Sequence, residues 1–421
     1  MNSAVSRRLV LGGLATSALI SPAAFAQTRA RIVVVGGGFG GATGARTAKT
    51  LMPSAEVTLI EPSEAYTSCP FSNLVVSGVR RLEDQSFSLS SLGSAGVRHV
   101  RARAEDINAQ AQTVTLDTGD TLAYDRLILS PGIDLRWGAL SGYDLEAEDQ
   151  MPHAWKAGPQ TDLLRRQLEA MEDGGTMVMS VPAAPYRCPP GPYERASLIA
   201  NYLKRQKPRS KLIVLDAKDD FSKKPLFLEA WAKHYPDHLE WRGAIDDGRV
   251  IRVDAGAMEL ETDFDRLNAD VANIIPPQKA AEITDRAGVA DQTGWCPIDA
   301  VTFESTLQPA IHVIGDAAIA APMPKSAFSA NLQAKVCAIQ IARVLSGLAP
   351  EPTRLVNTCY SYTTPDQAIS IVGAYSNEGG AFRSLAGAGG VSPSDADVSV
   401  REAEARQAVD WFAAITRESF G

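Results

Sequence analysis

Arg31-Ile32-Val33-Val34-Val35 is a β-branched apolar run that stops abruptly at Gly36-Gly37-Gly38-Phe39-Gly40-Gly41, and Ala42 to Leu51 then continues with helical character. A second run, Glu56 to Ile60, predicts a strand that ends on Glu61. Strand, turn, helix and strand in that order predict a βαβ unit. Further along, Thr176 to Val181 and Lys211 to Leu215 predict strands, while Tyr193 to Arg205 and Leu226 to His234 predict helices, so the middle of the chain reads as a second α/β unit. Beyond Pro350, a strand-like Ala368 to Val372 leads through a glycine-rich stretch, Gly387 to Gly390, to a final helix from Ser399 to Arg417. No internal repeat interrupts this order.

Composition narrows the class. A chain of 421 residues exceeds one hydrophobic core, so two or three domains are expected, and 45% hydrophobic with 21% charged residues is ordinary for a folded protein. The net charge of −8 argues against general affinity for nucleic acid or anionic membrane. Residues 1–26 read as an export signal. Arg7-Arg8 precedes a short apolar stretch, and Ala24-Phe25-Ala26 is a small-x-small cleavage site. The paired arginines predict the twin-arginine route and a periplasmic location, and the stretch is too short for an integral membrane span.

Gly36, Gly38 and Gly41 fit G-x-G-x-x-G between strand and helix, and Glu61 follows about 20 residues on, where an acid accepts ribose hydroxyls. Glycines let the backbone approach a pyrophosphate, and the helix N-terminus offers it free N–H groups. The motif alone does not separate FAD from NAD. Ala123 to Gly132 and Ile311 to Ala318, however, resemble two later segments of the FAD domain in the two-dinucleotide-binding disulfide reductase superfamily. That resemblance implies FAD, with Gly315 and Asp316 at its ribityl or pyrophosphate region and a helix opening near Lys325 toward the flavin. It implies an α/β fold of two Rossmann-like, dinucleotide-binding-type domains plus a C-terminal α+β domain. Residues 29–145 and 280–345 would form a split FAD-binding domain, 146–279 the inserted second domain and 350–421 a C-terminal interface domain.

The second domain lacks a glycine-rich phosphate loop. After Val181 the chain runs through Pro182, Pro185, Pro189, Pro190 and Pro192, and proline has no N–H to offer a pyrophosphate, so no nicotinamide site is expected. Five cysteines remain as redox candidates, none in C-x-x-C or C-x-x-C-H, which excludes a zinc ribbon and the usual haem c attachment on this chain. On the residues alone, Cys69, Cys296 and Cys337 also suit buried apolar positions, Cys188 and Cys359 also suit a structural bridge, and Glu194 also suits a helix first turn.

Tyr66 to Asn73, Arg187 to Glu194, Trp295-Cys296-Pro297, Met323 to Ser326 and Asn357 to Tyr360 together resemble the flavoprotein subunit of flavocytochrome c sulfide dehydrogenase. By this resemblance Cys69 carries FAD covalently, Cys188 and Cys359 are the redox-active disulfide, and Glu194 handles protons. Trp411 resembles a residue near the electron exit. The implied activity is oxidation of hydrosulfide to sulfane sulfur or polysulfide, with electrons passed through FAD to haem c on a c-type cytochrome partner. Two other readings stand beside it: a sulfide:quinone reductase docked at a membrane by the apolar stripe of the last helix, and a non-enzymatic electron-transfer flavoprotein. Arg187 and the following helix are expected to stabilise a thiolate on Cys188.

Overall fold

A computed structural model describes residues 30–421, so the export signal expected in residues 1–26 lies outside the described residues. Two parallel sheets and a C-terminal hairpin organise the chain. The first sheet runs Ile311–Val313, Arg126–Leu129, Arg31–Val35, Glu56–Ile60, Arg98–Val100, all parallel. Its central strands are apolar on both faces because both faces are covered, which is why they lack alternation. On one face the helix Phe39–Leu51 packs against Ala327–Leu345. Gly44 faces Ala334 across this contact, where a Cβ would sit in ordinary packing contact at 3.7 Å.

The second sheet, Leu239–Arg242, Lys211–Asp216, Thr176–Val181, Val271–Ile274, is also parallel. The chain leaves the first unit along Ile133–Leu135 and returns along Gln278–Ala280, and these two strands pair antiparallel. The fold is thus α/β with two Rossmann-like units, the second inserted before the last strand of the first.

The helix expected from Tyr193 begins earlier, at Gly191, and runs to Gln206, because Pro192 sits in the first turn where no N–H is needed. The helix expected from Leu226 likewise starts at Lys224. The strand expected at Ala368–Val372 extends over Gln367–Ser376 and pairs antiparallel with Arg354–Thr364, a strand the pattern did not predict. Asn357 and Ser361 break its alternation because they meet polar partners in the interior, Ser326 and Ser329 for the first and Lys223 for the second. The final helix, Val398–Phe420, crosses this hairpin, and Phe420 packs among Phe39, Tyr66 and Phe87 beside the glycine turn.

Candidate active site

A cavity of about 750 Å³ opens between the two sheets and the hairpin, within the range of cofactor and ligand sites of about 300–1,000 Å³. Gly36 to Gly40 form one end, where the first strand turns into the helix. Gly36 has φ +99°, and a Cβ there would lie 2.4 Å from the Ser130 carbonyl oxygen. Gly41 touches the turn from inside, where a Cβ would sit 1.8 Å from the Gly36 carbonyl oxygen. Gly38 ends the turn, and its neighbour Glu61 accepts the Gly37 N–H at 2.8 Å and lines the cavity. Backbone, acid and helix N-terminus therefore converge as a pyrophosphate-and-ribose cradle requires.

Gly315 and Asp316 close the far side. Asp316 is held between Arg187, 3.8 Å away, and Lys325, yet its Oδ1 has no hydrogen-bond partner. Burial pushes its carboxyl up, against the pull of Arg187 and Lys325. A buried acceptor aimed into a cavity without a donor fits a ligand hydroxyl or N–H. The residues fit FAD at this point. Lys325 departs from the expectation: its ammonium donates to the carbonyls of Asp316 and Ala318, both at 2.8 Å, and lies 3.9 Å from the centre of the Trp295 ring. Those two carbonyls and the ring satisfy it, so the side chain props the Asp316 loop and does not line the cavity. Ser326 caps the following helix, accepting the Ser329 N–H at 3.1 Å, and the first turn faces the cavity.

The sulfur residues come from three distant segments. Cys69 lies on the cavity wall, its thiol 3.9 Å from the Trp155 carbonyl. Cys188 precedes the helix Gly191–Gln206, and Cys359 sits mid-strand in Arg354–Thr364 against which that helix packs. Both line the same cavity, and Cys188 is exposed to its lumen. Both are thiols in the structure, with no bridge between them. Cys188 has φ +55°, a left-handed conformation uncommon outside glycine, and its N–H is fixed by the Lys325 carbonyl at 2.9 Å. The Arg187 N–H is likewise taken, by Gln278 Oε1 at 2.9 Å, so these amides of the proline-rich loop are not free for a phosphate.

Cys188 borders the cavity lumen, but the protein around it disfavours the expected thiolate. Burial, then Cys359 and Glu194, push this thiol up, and Arg187 and Lys223 only partly offset them. The Arg187 guanidinium is shared with Asp316 and the Trp155 carbonyl.

Glu194 stands in the first turn of its helix and reaches the cavity. It accepts the Tyr362 N–H at 2.9 Å and Asn73 Nδ2 at 2.7 Å, but burial outweighs both and raises its carboxyl above the usual range. Of three further residues that the pattern did not single out, Asn73 and Arg195 complete this wall and Lys223 lies behind it. Asn73 Oδ1 accepts from Arg195, whose buried guanidinium also donates to Asn273 and to the carbonyls of His153 and Ala154. Lys223 is buried, with its ammonium on Ser361 Oγ at 2.8 Å and the carbonyls of Cys359 at 3.3 Å and Ile369 at 3.4 Å. Cys296 and Cys337 are buried away from the cavity. Trp411 lines it, stacked with Phe328.

Two dinucleotide-type sheets, a glycine cradle and cysteines on one cavity define a flavoprotein of the pyridine nucleotide-disulphide oxidoreductase class, and residues 30–166 match that family. Residues 161–276 match the central part of the sulfide dehydrogenase (flavocytochrome c) flavoprotein chain, and residues 351–420 match the flavin-binding part of flavocytochrome c sulphide dehydrogenase. A stretch of 45 residues is 60% identical to the sulfide dehydrogenase (flavocytochrome c) flavoprotein chain of Chlorobaculum thiosulfatiphilum, covering 94% of that sequence and 11% of this chain. The chain belongs to the flavoprotein family of flavocytochrome c sulfide dehydrogenase, and it binds FAD. It is also 24% identical to the mitochondrial sulfide:quinone oxidoreductase of mouse over 69% of this chain and 66% of the relative, just under two thirds of the latter's length. The crystal structure of the sulfide:quinone oxidoreductase from Aquifex aeolicus shares the fold, with a TM-score of 0.72 and 17% identity over 92% of each chain.

Proposed function

We propose that this chain is the FAD-bearing, sulfide-oxidising subunit of a sulfide dehydrogenase that passes electrons to haem c on a partner cytochrome. The observation that carries this reading is the convergence of Cys188, Cys359 and Glu194 on the cavity whose other walls carry the glycine cradle and Asp316. In the oxidised resting state the two cysteines are a disulfide. Hydrosulfide attacks it, the S–S bond breaks, and one cysteine becomes a persulfide while the other leaves as a thiolate. Glu194, whose carboxyl burial pushes up, exchanges the proton of the bound hydrosulfide with the cavity. When bound, FAD supplies a two-electron acceptor that releases electrons singly. Cys69, on the same wall, is the site of covalent flavin attachment. The sulfur leaves as sulfane sulfur or polysulfide. Export by the twin-arginine route places the reaction in the periplasm.

A quinone acceptor is the second reading, favoured by the likeness to sulfide:quinone oxidoreductases. Of its membrane stripe, Ala405, Ala408, Phe412 and Ile415 are buried against the protein, Trp411 is partly buried and Val409 is exposed. Among the described residues no helix is long and apolar enough to cross a membrane. The test is anaerobic addition of sulfide to the purified holoprotein, followed by a c-type cytochrome or a short-chain quinone. Flavin bleaching, then rapid reoxidation by the cytochrome alone, is expected. Reoxidation by quinone alone replaces the cytochrome reading, and no bleaching overturns both.

A further inference from the structure

Lys223 occupies a position that local rules disfavour three times over. Its backbone is left-handed, with φ +64°, which costs a β-carbon-bearing residue of order 1 kcal/mol or more. It caps the N-terminus of the helix Lys224–His234, where the helix dipole repels a cation. Its side chain is buried, and among the described residues no carboxylate comes within ion-pair distance; its partners are a hydroxyl and two carbonyls. A buried ammonium satisfied only by neutral oxygens points to an anion that forms beside it during function. Two of its partners, the Cys359 carbonyl and Ser361 Oγ, belong to the strand that carries the Cys359 sulfur into the cavity.

Resting on the disulfide reading above, we propose that Lys223 is the positioning residue whose fixed charge holds the strand at Cys359 and stabilises the thiolate released when the Cys188–Cys359 pair opens. Opening by a thiol or hydrosulfide breaks the S–S bond and creates one thiolate in the cavity wall, with the incoming sulfur bonded to the other cysteine. The other charged and titratable groups facing the pair are accounted for. Arg187 and Arg195 also lend positive charge to Cys188, Arg187 while bonded to the Trp155 carbonyl beside Asp316 and Arg195 while bonded to Asn73, Asn273 and two carbonyls, so Lys223 is the cation tied to the Cys359 strand. Glu194 and Cys359 oppose a thiolate at Cys188, and Tyr186 and Tyr375 stand nearby. Glu404, on the hairpin's other side, is engaged by Ser370, Ser392 and Arg401. Burial draws Lys223 down to about 8, with both cysteines, Glu194 and Glu404 holding it up.

The test uses FAD-loaded protein reduced with dithiothreitol and alkylated with iodoacetamide, reading Cys188 and Cys359 separately by peptide mass over pH 5–10, so it needs no sulfide activity. Lys223→Met should raise the apparent pKa of at least one of the two thiols by about one unit, slowing its alkylation about tenfold at pH 7. Lys223→Arg should restore most of the rate. The unfolding midpoint of Lys223→Met should fall, because the variant removes the hydrogen bonds to Ser361, Cys359 and Ile369, so alkylation is compared below the midpoint of every variant. Should Lys223→Met lose FAD, Lys223→Gln, which keeps hydrogen bonds to the same oxygens, replaces it with the same expectation. Superimposable alkylation profiles in parent and variant overturn the proposal. Loss of sulfide-driven bleaching in the parent, with a Lys223-dependent thiol pKa intact, overturns the sulfide reading and leaves the charge role standing.

Discussion

Gly41→Ala is the sharpest perturbation of the flavin cradle. The added methyl would lie 1.8 Å from the Gly36 carbonyl oxygen and 2.9 Å from its carbon, both main-chain atoms in the turn itself. Relief demands a shift of more than an ångström between the turn and the helix Phe39–Leu51. The turn has little room to give, since the Gly36 N–H is bonded to the Ile60 carbonyl at 3.0 Å and a Cβ at Gly36 would already clash with Ser130. Overpacking of this kind costs about 3 kcal/mol or more, and loaded onto the cradle it lowers FAD affinity by about a hundredfold or more. Gly44→Ala, one turn further along the same helix, is the control: its methyl would meet nothing nearer than 3.7 Å, and alanine gains up to about 1 kcal/mol of helix propensity over glycine. Flavin absorbance per chain after dialysis and the unfolding midpoint are measured for both in a Cys69→Ala background, where flavin is held without a covalent bond. The alanine at 41 should yield colourless protein and the one at 44 a full flavin complement with an unchanged or higher midpoint. Stoichiometric flavin in Gly41→Ala would refute the assignment of the turn as the pyrophosphate cradle.

Two further outcomes follow from the site. Acid precipitation should leave flavin in the pellet of the parent and release it from Cys69→Ala; flavin released from both sinks covalent attachment through Cys69. His153 is buried, accepts the Trp155 N–H on Nδ1 at 2.8 Å and contacts Glu148 through Nε2 at 3.0 Å, so burial holds it neutral with its pKa drawn down to about 3. A folded value below the unfolded 6.5 gives stability that is present above pH 6.5 and is lost as pH falls toward 3, about 1.4 kcal/mol per pH unit in that window. His153→Gln should therefore lose less stability than the parent between pH 7 and 5 in denaturant titrations, and parallel losses contradict the assignment.

The cradle was legible because its chemistry is local: strand, glycine turn, helix and Glu61 lie within one βαβ unit, and Gly315-Asp316 ends a strand of the same sheet. The cysteine pair was not legible from spacing, because Cys188 and Cys359 meet only through packing of a helix in one unit on a strand in another. That strand was itself missed, since Asn357, Thr358 and Ser361 disrupt the apolar alternation that signals one. Arg195 next to Glu194 reads as a surface pair, although it shares the helix face of buried Leu198 and Ile199, a signal that was available. Lys223 carried no such signal. In Ser222-Lys223-Lys224-Pro225 it reads as an exposed turn, and only the fold shows it turned inward.

The central claim is that Cys188 and Cys359 act together on sulfide, and the most direct test is the anaerobic, stopped-flow rate of flavin bleaching by sulfide in Cys188→Ser and Cys359→Ser. Each variant should bind FAD fully yet lose the rate by several orders of magnitude. A near-parental rate in either variant, accompanied only by a lower unfolding midpoint, would contradict the account and make the pair a structural feature of the cavity wall.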